Sequence, residues 1–179
     1  MRKIIGICGY AGTGKDTVAS YLIEHEGFKK ESFAKSLKDA VSSMFNWDRK
    51  LLEGITEESR KFRETKDEYW SAILGRDITP RYILQYFGTE VCRNTLHKEI
   101  WVENLKNRVS KNSDNIVISD VRFINEAKAI KDMGGYILGI KRDNISDKYN
   151  HASEADIEII GQHYANYILE NVGTLDNFY

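Results

Sequence analysis

The sequence predicts an α/β fold, with a parallel sheet of about five strands flanked by helices. Two observations carry this. One is a pair of apolar runs, Lys3 to Cys8 and Asn115 to Ser119, which suit strands covered on both faces. The other is the alternation of strand-like and helix-like stretches at both ends of the chain, which packs most simply as helices on one parallel sheet. The 179 residues fit a single domain with a sizeable core.

The elements follow in order. Lys3 to Cys8 reads as a buried strand that ends at glycines. Lys15 to His25 reads as a helix, with Val18, Ala19, Leu22 and Ile23 at helical spacing. Phe28 to Phe33 is a short second strand. Ser36 to Phe45 is helical, with Leu37, Ala40, Val41 and Met44 expected on one face. From Trp47 to Ser113 no strand is expected, and Lys66 to Leu74, Pro80 to Leu96 and Lys98 to Lys111 read as helices. Thr79 and Pro80 form an N-cap and first-turn pair. Trp101, Leu105 and Val109 form a core-facing stripe, and Ile83, Leu84, Phe87 and Val91 another. Asn115 to Ser119 is a strand. Phe123 to Met133 is a helix with Ile124, Ala127 and Ile130 inward, stopped by Gly134 and Gly135. Tyr136 to Ile140 and Ala165 to Leu169 are the last strands. Lys141 to Asp156 is polar and irregular, and Gly173 to Tyr179 is a terminal turn or helix. The helical middle is most simply an insertion beside the sheet.

Composition excludes several classes. With 26 Lys+Arg against 27 Asp+Glu, the net charge of -1 supplies no field for a nucleic-acid backbone. A single proline and no biased tract argue against disorder. Cys8 and Cys92 read as buried thiols of a reducing cytosol, not as a disulfide framework. No signal peptide is expected from the first residues, and no apolar stretch approaches the roughly 20 residues that span a bilayer. The expected location is the cytoplasm.

Gly9-Tyr10-Ala11-Gly12-Thr13-Gly14-Lys15 matches G-x-x-x-x-G-K between a strand and a helix, the context this motif requires. Glycines let the backbone wrap an oxyanion, and successive N–H groups with a helix N-terminus then face phosphates. Lys15 supplies a cation for the β- and γ-phosphates. The order G-x-x-G-x-G disfavours a dinucleotide loop. Asp16 stands where Ser or Thr is usual, and Thr17 follows. A helix turns about 100° per residue, so the Thr17 hydroxyl need not reach the usual metal position. Asp16 either binds Mg²⁺, directly or through water, or is a plain helix-start acid. Ile116 to Asp120 is an apolar strand ending in an acid. Beside the first strand, Asp120 can hold Mg²⁺ or its water, and Arg122 can meet phosphate.

Several segments then align with one family: Gly-Thr-Gly-Lys-Asp-Thr at 12–17, Phe-Ala-Lys-Ser-Leu-Lys-Asp-Ala at 33–40, Phe-Arg-Glu-Thr at 62–65, and Thr-Pro-Arg-Tyr-Ile-Leu-Gln-Tyr-Phe-Gly-Thr-Glu at 79–90. Ile-Trp-Val at 100–102, Ser-Asp-Val-Arg-Phe-Ile-Asn-Glu-Ala at 119–127, His-Ala-Ser-Glu at 151–154 and Asn-Val-Gly-Thr at 171–174 continue in the same order. The chain resembles the phage-type deoxynucleoside monophosphate kinases of the P-loop NMP-kinase superfamily. The resemblance implies a P-loop NTPase fold, with core 1–35 and 114–179, a helical NMP-binding insertion at about 36–113 and a short lid at about 141–156. It implies phosphorylation of a dNMP by ATP with Mg²⁺, and a possible homodimer.

The implied donor site is Ala11, Gly12, Thr13, Gly14, Lys15, Asp16, Thr17 and Arg142, with Asp16, Thr17 and Asp120 for the metal and Lys15, Asp120 and Arg122 catalytic. On the acceptor side stand Lys38, Arg63 and Arg122 as phosphate candidates by family position, Glu126 as a further substrate contact, and a ridge of Arg81, Gln85, Thr89 and Arg93 at i, i+4 spacing, which an ordinary amphipathic helix also predicts. Gly88 allows close backbone approach, Gln85 can read a base edge, and Trp101 either stacks on a base or is core. His151 reads as a loop histidine, and Asn171 to Thr174 resembles the loop near adenine. Dephospho-CoA kinase and phosphomevalonate kinase are the nearest alternatives, opposed by Gln-x-x-Gly-Thr-Glu at 85–90. A GTP-binding switch would need Asn-Lys-x-Asp, which is absent, and a non-catalytic nucleotide-binding module is opposed by Lys15, Asp120 and the arginines.

Overall fold

In the computed structural model, residues 2–111, 113–142 and 156–172 are described. They divide into two units, one formed by 1–33 and 105–179 and the other by 34–104.

The first unit holds the sheet. Its strands are β1 (Ile4–Cys8), β2 (Lys29–Glu31), β3 (Ile116–Val121), β4 (Tyr136–Lys141) and β5 (Tyr167–Glu170). Their order is β2-β3-β1-β4-β5, and every pairing is parallel. Parallel pairing explains the apolar runs, since such strands are covered on both faces. The side chains of β1 alternate between the two covers. Ile7 packs with Ala19 of α1 (Lys15–Glu26), and with Val117 and Ile140. Gly6 faces the other way, toward α7 (Ile124–Asp132), where an added Cβ would come within 2.5 Å of Ile130 Cδ1. The chain leaves β1 toward β2 and leaves β3 toward β4, so its direction reverses between β1 and β3, where open α/β sheets bind ligands.

The second unit is helical: α2 (Lys35–Phe45), α3 (Glu57–Glu64), α4 (Glu68–Leu74), α5 (Pro80–Tyr86) and a π-helix (Phe87–Leu96). Its core joins Val41, Phe45, Trp47, Leu52, Ile78, Ile83 and Leu84. Trp47 Nε1 donates to Asp67 Oδ2 at 2.7 Å, and Trp70 Nε1 to the Phe45 carbonyl at 2.9 Å. Asp67 also N-caps α4 by accepting from Trp70 N at 2.9 Å. Helix α6 (Ile100–Ser110) has its first residues in this unit and the rest, from Leu105, in the first.

The structure corrects several expectations. On α2 the inward residues are Leu37, Val41 and Phe45, whereas Ala40 is exposed and Met44 is 55% exposed. Two helices were not expected. The first, α3, carries one apolar residue, Phe62, so hydrophobic periodicity is silent there; Thr56 starts it by accepting from Ser59 N at 3.1 Å. The second, α8 (Ile157–His163), is short, with Ile157 and Ile160 buried. The expected single helix from Pro80 to Leu96 changes at Phe87 to π geometry, in which bonds span five residues, as His97 N to the Cys92 carbonyl shows. Apolar spacing does not separate i+4 from i+5 bonding. The expected terminal element after Gly173 lies outside the described residues, as do 143–155. Among the described residues no helix is long and apolar enough to cross a membrane.

Trp101 tests the α6 stripe. It is 8% exposed, and its Nε1 donates to the Gly88 carbonyl at 3.0 Å. Trp101→Phe keeps most of the volume but removes the indole N–H donated to that buried carbonyl. The expected loss is about 0.5–1.5 kcal/mol, read in thermal unfolding as a Tm drop on the order of 2–4 °C per kcal/mol at this chain length.

Candidate functional site: a glycine loop at the end of the first strand

The loop between β1 and α1 is built on backbone freedom at two glycines. Gly12 (φ 82°) and Gly14 (φ 103°) adopt left-handed conformations that a side chain disfavours. Gly9 is required for space, because a Cβ there would stand 2.6 Å from the Ile140 carbonyl oxygen of β4. No side chain caps α1, so its first turn and its dipole face the loop.

The Tyr10 carbonyl organises the loop. It accepts from Thr13 N at 3.3 Å, Thr13 Oγ1 at 2.9 Å and Lys15 Nζ at 2.6 Å. Thr13 is buried, whereas Lys15 is only half-buried. Two neighbours from the far ends of the last strands complete the loop. Arg142 Nη1 approaches the Gly12 carbonyl at 3.4 Å, and Asn171 Nδ2 donates to the Thr13 carbonyl at 2.9 Å. The loop thus gathers Gly12, Thr13, Lys15 and Arg142, with Ala11 in the loop and Thr17 in the first turn of α1.

The acidic end of β3 differs from expectation. The strand runs on to Val121, so Asp120 lies inside it. Its register against β1 slips between Ile118 and Val121, an extra residue of the kind that re-aims side chains. Asp120 Oδ2 accepts from Ser32 Oγ at 2.7 Å and Oδ1 from Phe33 N at 3.1 Å, tying down the chain after β2. The residue that reaches α1 is Ser119, whose Oγ donates to Asp16 Oδ1 at 3.3 Å. Ser119 was not singled out in the sequence. Its signal is strand alternation, because Val117, two residues earlier, already packs with Ala19 of α1. Arg122 is exposed.

Glu126 has a structural role at the start of α7. It is 2% exposed, and its Oε2 accepts from Arg122 N at 2.9 Å and Phe123 N at 3.2 Å, capping α7. Cys8, directly before the loop, donates to the Ile157 carbonyl at 3.8 Å. Burial pushes its thiol up to about 12, against a smaller opposing pull from Lys15.

In the helical unit the expected acceptor residues are individually placed. Gly88 is approached by Leu37 of α2, where an added Cβ would meet Leu37 Cδ2 at 2.8 Å. Its bareness thus serves packing within the unit, and buried Trp101 is core. Arg81 is ion-paired with Glu64. Lys38 Nζ donates to Glu53 Oε2 at 2.6 Å, and Arg49 Nη1 to Glu53 Oε1 at 2.5 Å. Burial alone would raise the Glu53 carboxyl, but the bonds and charges of Lys38 and Arg49 more than offset it and hold it below the usual carboxylate value. Glu53 had no sequence signal and Glu64 stood only within the 62–65 segment; only folding shows which cations they meet. Arg63 lies against Gly54, its Nη1 in the space that a Cβ would take. Gln85 and Thr89 are exposed and Arg93 half-buried; Gln85 belongs to α5, whereas Thr89 and Arg93 belong to the π-helix. His151 lies outside the described residues.

The chain is similar to known proteins over most of its length. The sequence profile of the family described as Deoxynucleotide monophosphate kinase matches residues 55–179. A protein of Acanthamoeba polyphaga mimivirus, provisionally named a deoxynucleotide monophosphate kinase, is 37% identical, over 98% of this chain and 92% of its own. The Deoxynucleoside-5'-monophosphate kinase of Escherichia phage T5 is 25% identical, over 88% of this chain and 86% of its own. Among solved structures, a dephospho-CoA kinase from Campylobacter jejuni matches with a TM-score of 0.52, covering 99% of this chain and 92% of that one. At 14% identity this likeness is one of fold, the P-loop kinase fold.

The Cys8 environment gives a pH-dependent outcome. The unfolded thiol ionises near about 8.5, whereas the folded one stays protonated. The resulting stability is fully present below the unfolded value and is lost as pH rises toward the folded value of about 12. Denaturant midpoints are expected to fall from about pH 9 upward, and a Cys8→Ala variant is expected to show a smaller fall.

Proposed function

We infer the reaction from lineage: the chain belongs to the deoxynucleotide monophosphate kinase family. It phosphorylates a deoxynucleoside monophosphate with ATP, giving the diphosphate and ADP. The observation that carries this is the glycine loop, which joins β1 to an uncapped helix at the sheet's reversal point and presents Lys15.

An oxygen of the acceptor monophosphate attacks the γ-phosphorus of ATP, and the bond from that phosphorus to the β,γ-bridging oxygen breaks. Both partners are anionic, so the protein's work is positioning and charge neutralisation. The loop amides and the α1 dipole hold the donor phosphates. Lys15 leaves the Tyr10 carbonyl for the transferring group, and Arg142 faces the same loop. No strong general base is needed, because a phosphate monoester is already an anionic nucleophile at neutral pH.

Magnesium fits the oxygens near the loop. Asp16 is the exposed carboxylate, with Thr17 next to it and Ser119 behind it. Asp120, with both oxygens already accepting from the chain, is suited to contact through water. Among the described residues no three His, Cys, Asp or Glu side chains form a metal-holding group. That suits Mg²⁺, which keeps several waters and leans on substrate phosphates beside one or two carboxylates. When bound, it neutralises charge on the donor phosphates.

We assign the acceptor to the helical insertion, about 36–113, and the donor to the core, 1–35 and 114–179. Arg93, Arg81, Lys38, Arg63 and the exposed Gln85 and Thr89 are its acceptor candidates. In this structure Arg81 and Lys38 are paired with Glu64 and Glu53, so a phosphate there replaces a carboxylate as partner.

A coupled ADP-release assay with Mg-ATP, across all NMPs and dNMPs and with dephospho-CoA and phosphomevalonate as controls, tests the reaction. A dNMP is the expected acceptor, and turnover on dephospho-CoA alone overturns the assignment. Lys15→Ala is expected to cut turnover by roughly 10³-fold, the range for a lost electrostatic stabiliser, while the protein stays folded.

The acceptor ridge has its own test. Arg93→Ala is expected to raise acceptor KM about 10- to 150-fold, as loss of a charge-assisted bond does, with ATP affinity unchanged when measured without acceptor. Gln85→Ala is expected to change the ranking among bases, because its amide both donates and accepts. Lowered Tm with unchanged acceptor kinetics in both would make the ridge structural.

A further inference from the structure

Asn171 follows β5 directly, and its backbone N–H donates to the Lys141 carbonyl at 2.8 Å, extending the β4–β5 ladder. The residue is therefore mounted on the sheet. Its side chain crosses to the glycine loop, where Nδ2 donates to the carbonyl of Thr13 at 2.9 Å, a contact across 158 positions of sequence. Thr13 is itself 1% exposed.

A trans peptide is planar, and its C=O and N–H point in opposite directions. Holding the Thr13 carbonyl thus aims the Gly14 N–H the opposite way. This peptide needs an external hold. Gly12 and Gly14, on either side of Thr13, both have positive φ, and glycine tolerates several orientations there. The preceding peptide is tied at both ends, its Gly12 carbonyl facing Arg142 and its Thr13 N–H on Tyr10. The Thr13–Gly14 peptide has its carbonyl tied by Asn171.

We propose that Asn171 is a positioning residue of the phosphate-binding loop, fixing the Thr13–Gly14 peptide so that the Gly14 N–H is preorganised for a donor phosphate. The inference rests on the reading of this loop as the donor site. It differs from a contact with adenine, because a residue acting through the loop senses phosphates and is indifferent to the base.

The test is calorimetric titration of ATP, GTP and inorganic tripolyphosphate, with magnesium, into the full chain and its Asn171→Ala and Asn171→Asp variants. Asn171→Ala is expected to weaken all three ligands by the same factor, about 3- to 10-fold for one lost hydrogen bond. Asn171→Asp keeps the shape but has no donor and repels the carbonyl, so its loss is expected to be larger. Melting curves check the fold, and Asn171→Asp carries the test if Asn171→Ala does not fold. Weakening confined to ATP assigns the residue to the base and overturns the inference, as does unchanged binding in both variants. Wild type that binds none of the three overturns the phosphate-loop reading itself, and the inference with it.

Discussion

The Tyr10 carbonyl is the point on which the loop depends. One oxygen takes the backbone and the hydroxyl of Thr13 and the ammonium of Lys15. The first two close the turn, so that Gly14 can start α1 without a capping side chain. The third holds the lysine at the loop rather than extended into solvent. A lysine loses roughly 2 kcal/mol of rotamer freedom when ordered, and holding it at the loop removes part of that cost before a ligand arrives. The parallel sheet beneath supplies the rigidity. Ile140 of β4 presses against Gly9, and Asn171 and Arg142 reach back from beyond the strand ends.

Adjacent residues of β3 divide two tasks. Ser119 faces Asp16 at the start of α1, and Asp120 secures Ser32 and Phe33 after β2. The register slip against β1 lies between them and their neighbours. A carboxylate whose oxygens accept from the chain is held in one orientation. That leaves Asp120 fixed inside β3, while Asp16 at the start of α1 is exposed.

In the helical unit, cations are paired with carboxylates. Lys38 and Arg49 share Glu53, and Arg81 meets Glu64. Lys38 is mostly covered, and an unpartnered ammonium there would carry a desolvation penalty. The carboxylates offset it when no anion is bound.

Much of this was legible in the sequence, and the reason is local. The apolar runs, the glycine spacing and the Thr79–Pro80 pair each act within a few residues, so they announced β1, β3, α1 and α5 before any fold was known. The loop and Lys15 were legible for the same reason, and family resemblance pointed to Arg142 and Asn171 on the donor side. Where a signal is not local, the sequence was silent or misleading. Polar α3 gave no periodicity, the π-helix kept an α-like pattern, and nothing local showed that Glu126 caps a helix or that Gly88 admits Leu37. Sequence by itself determined the residue types and local backbone geometry that make a phosphate loop possible. Only the tertiary structure decided that Ser119 meets Asp16, that Asp120 holds Phe33 and that Asn171 ties Thr13, because pairings across 87 to 158 positions follow from strand order and register, which no local pattern encodes.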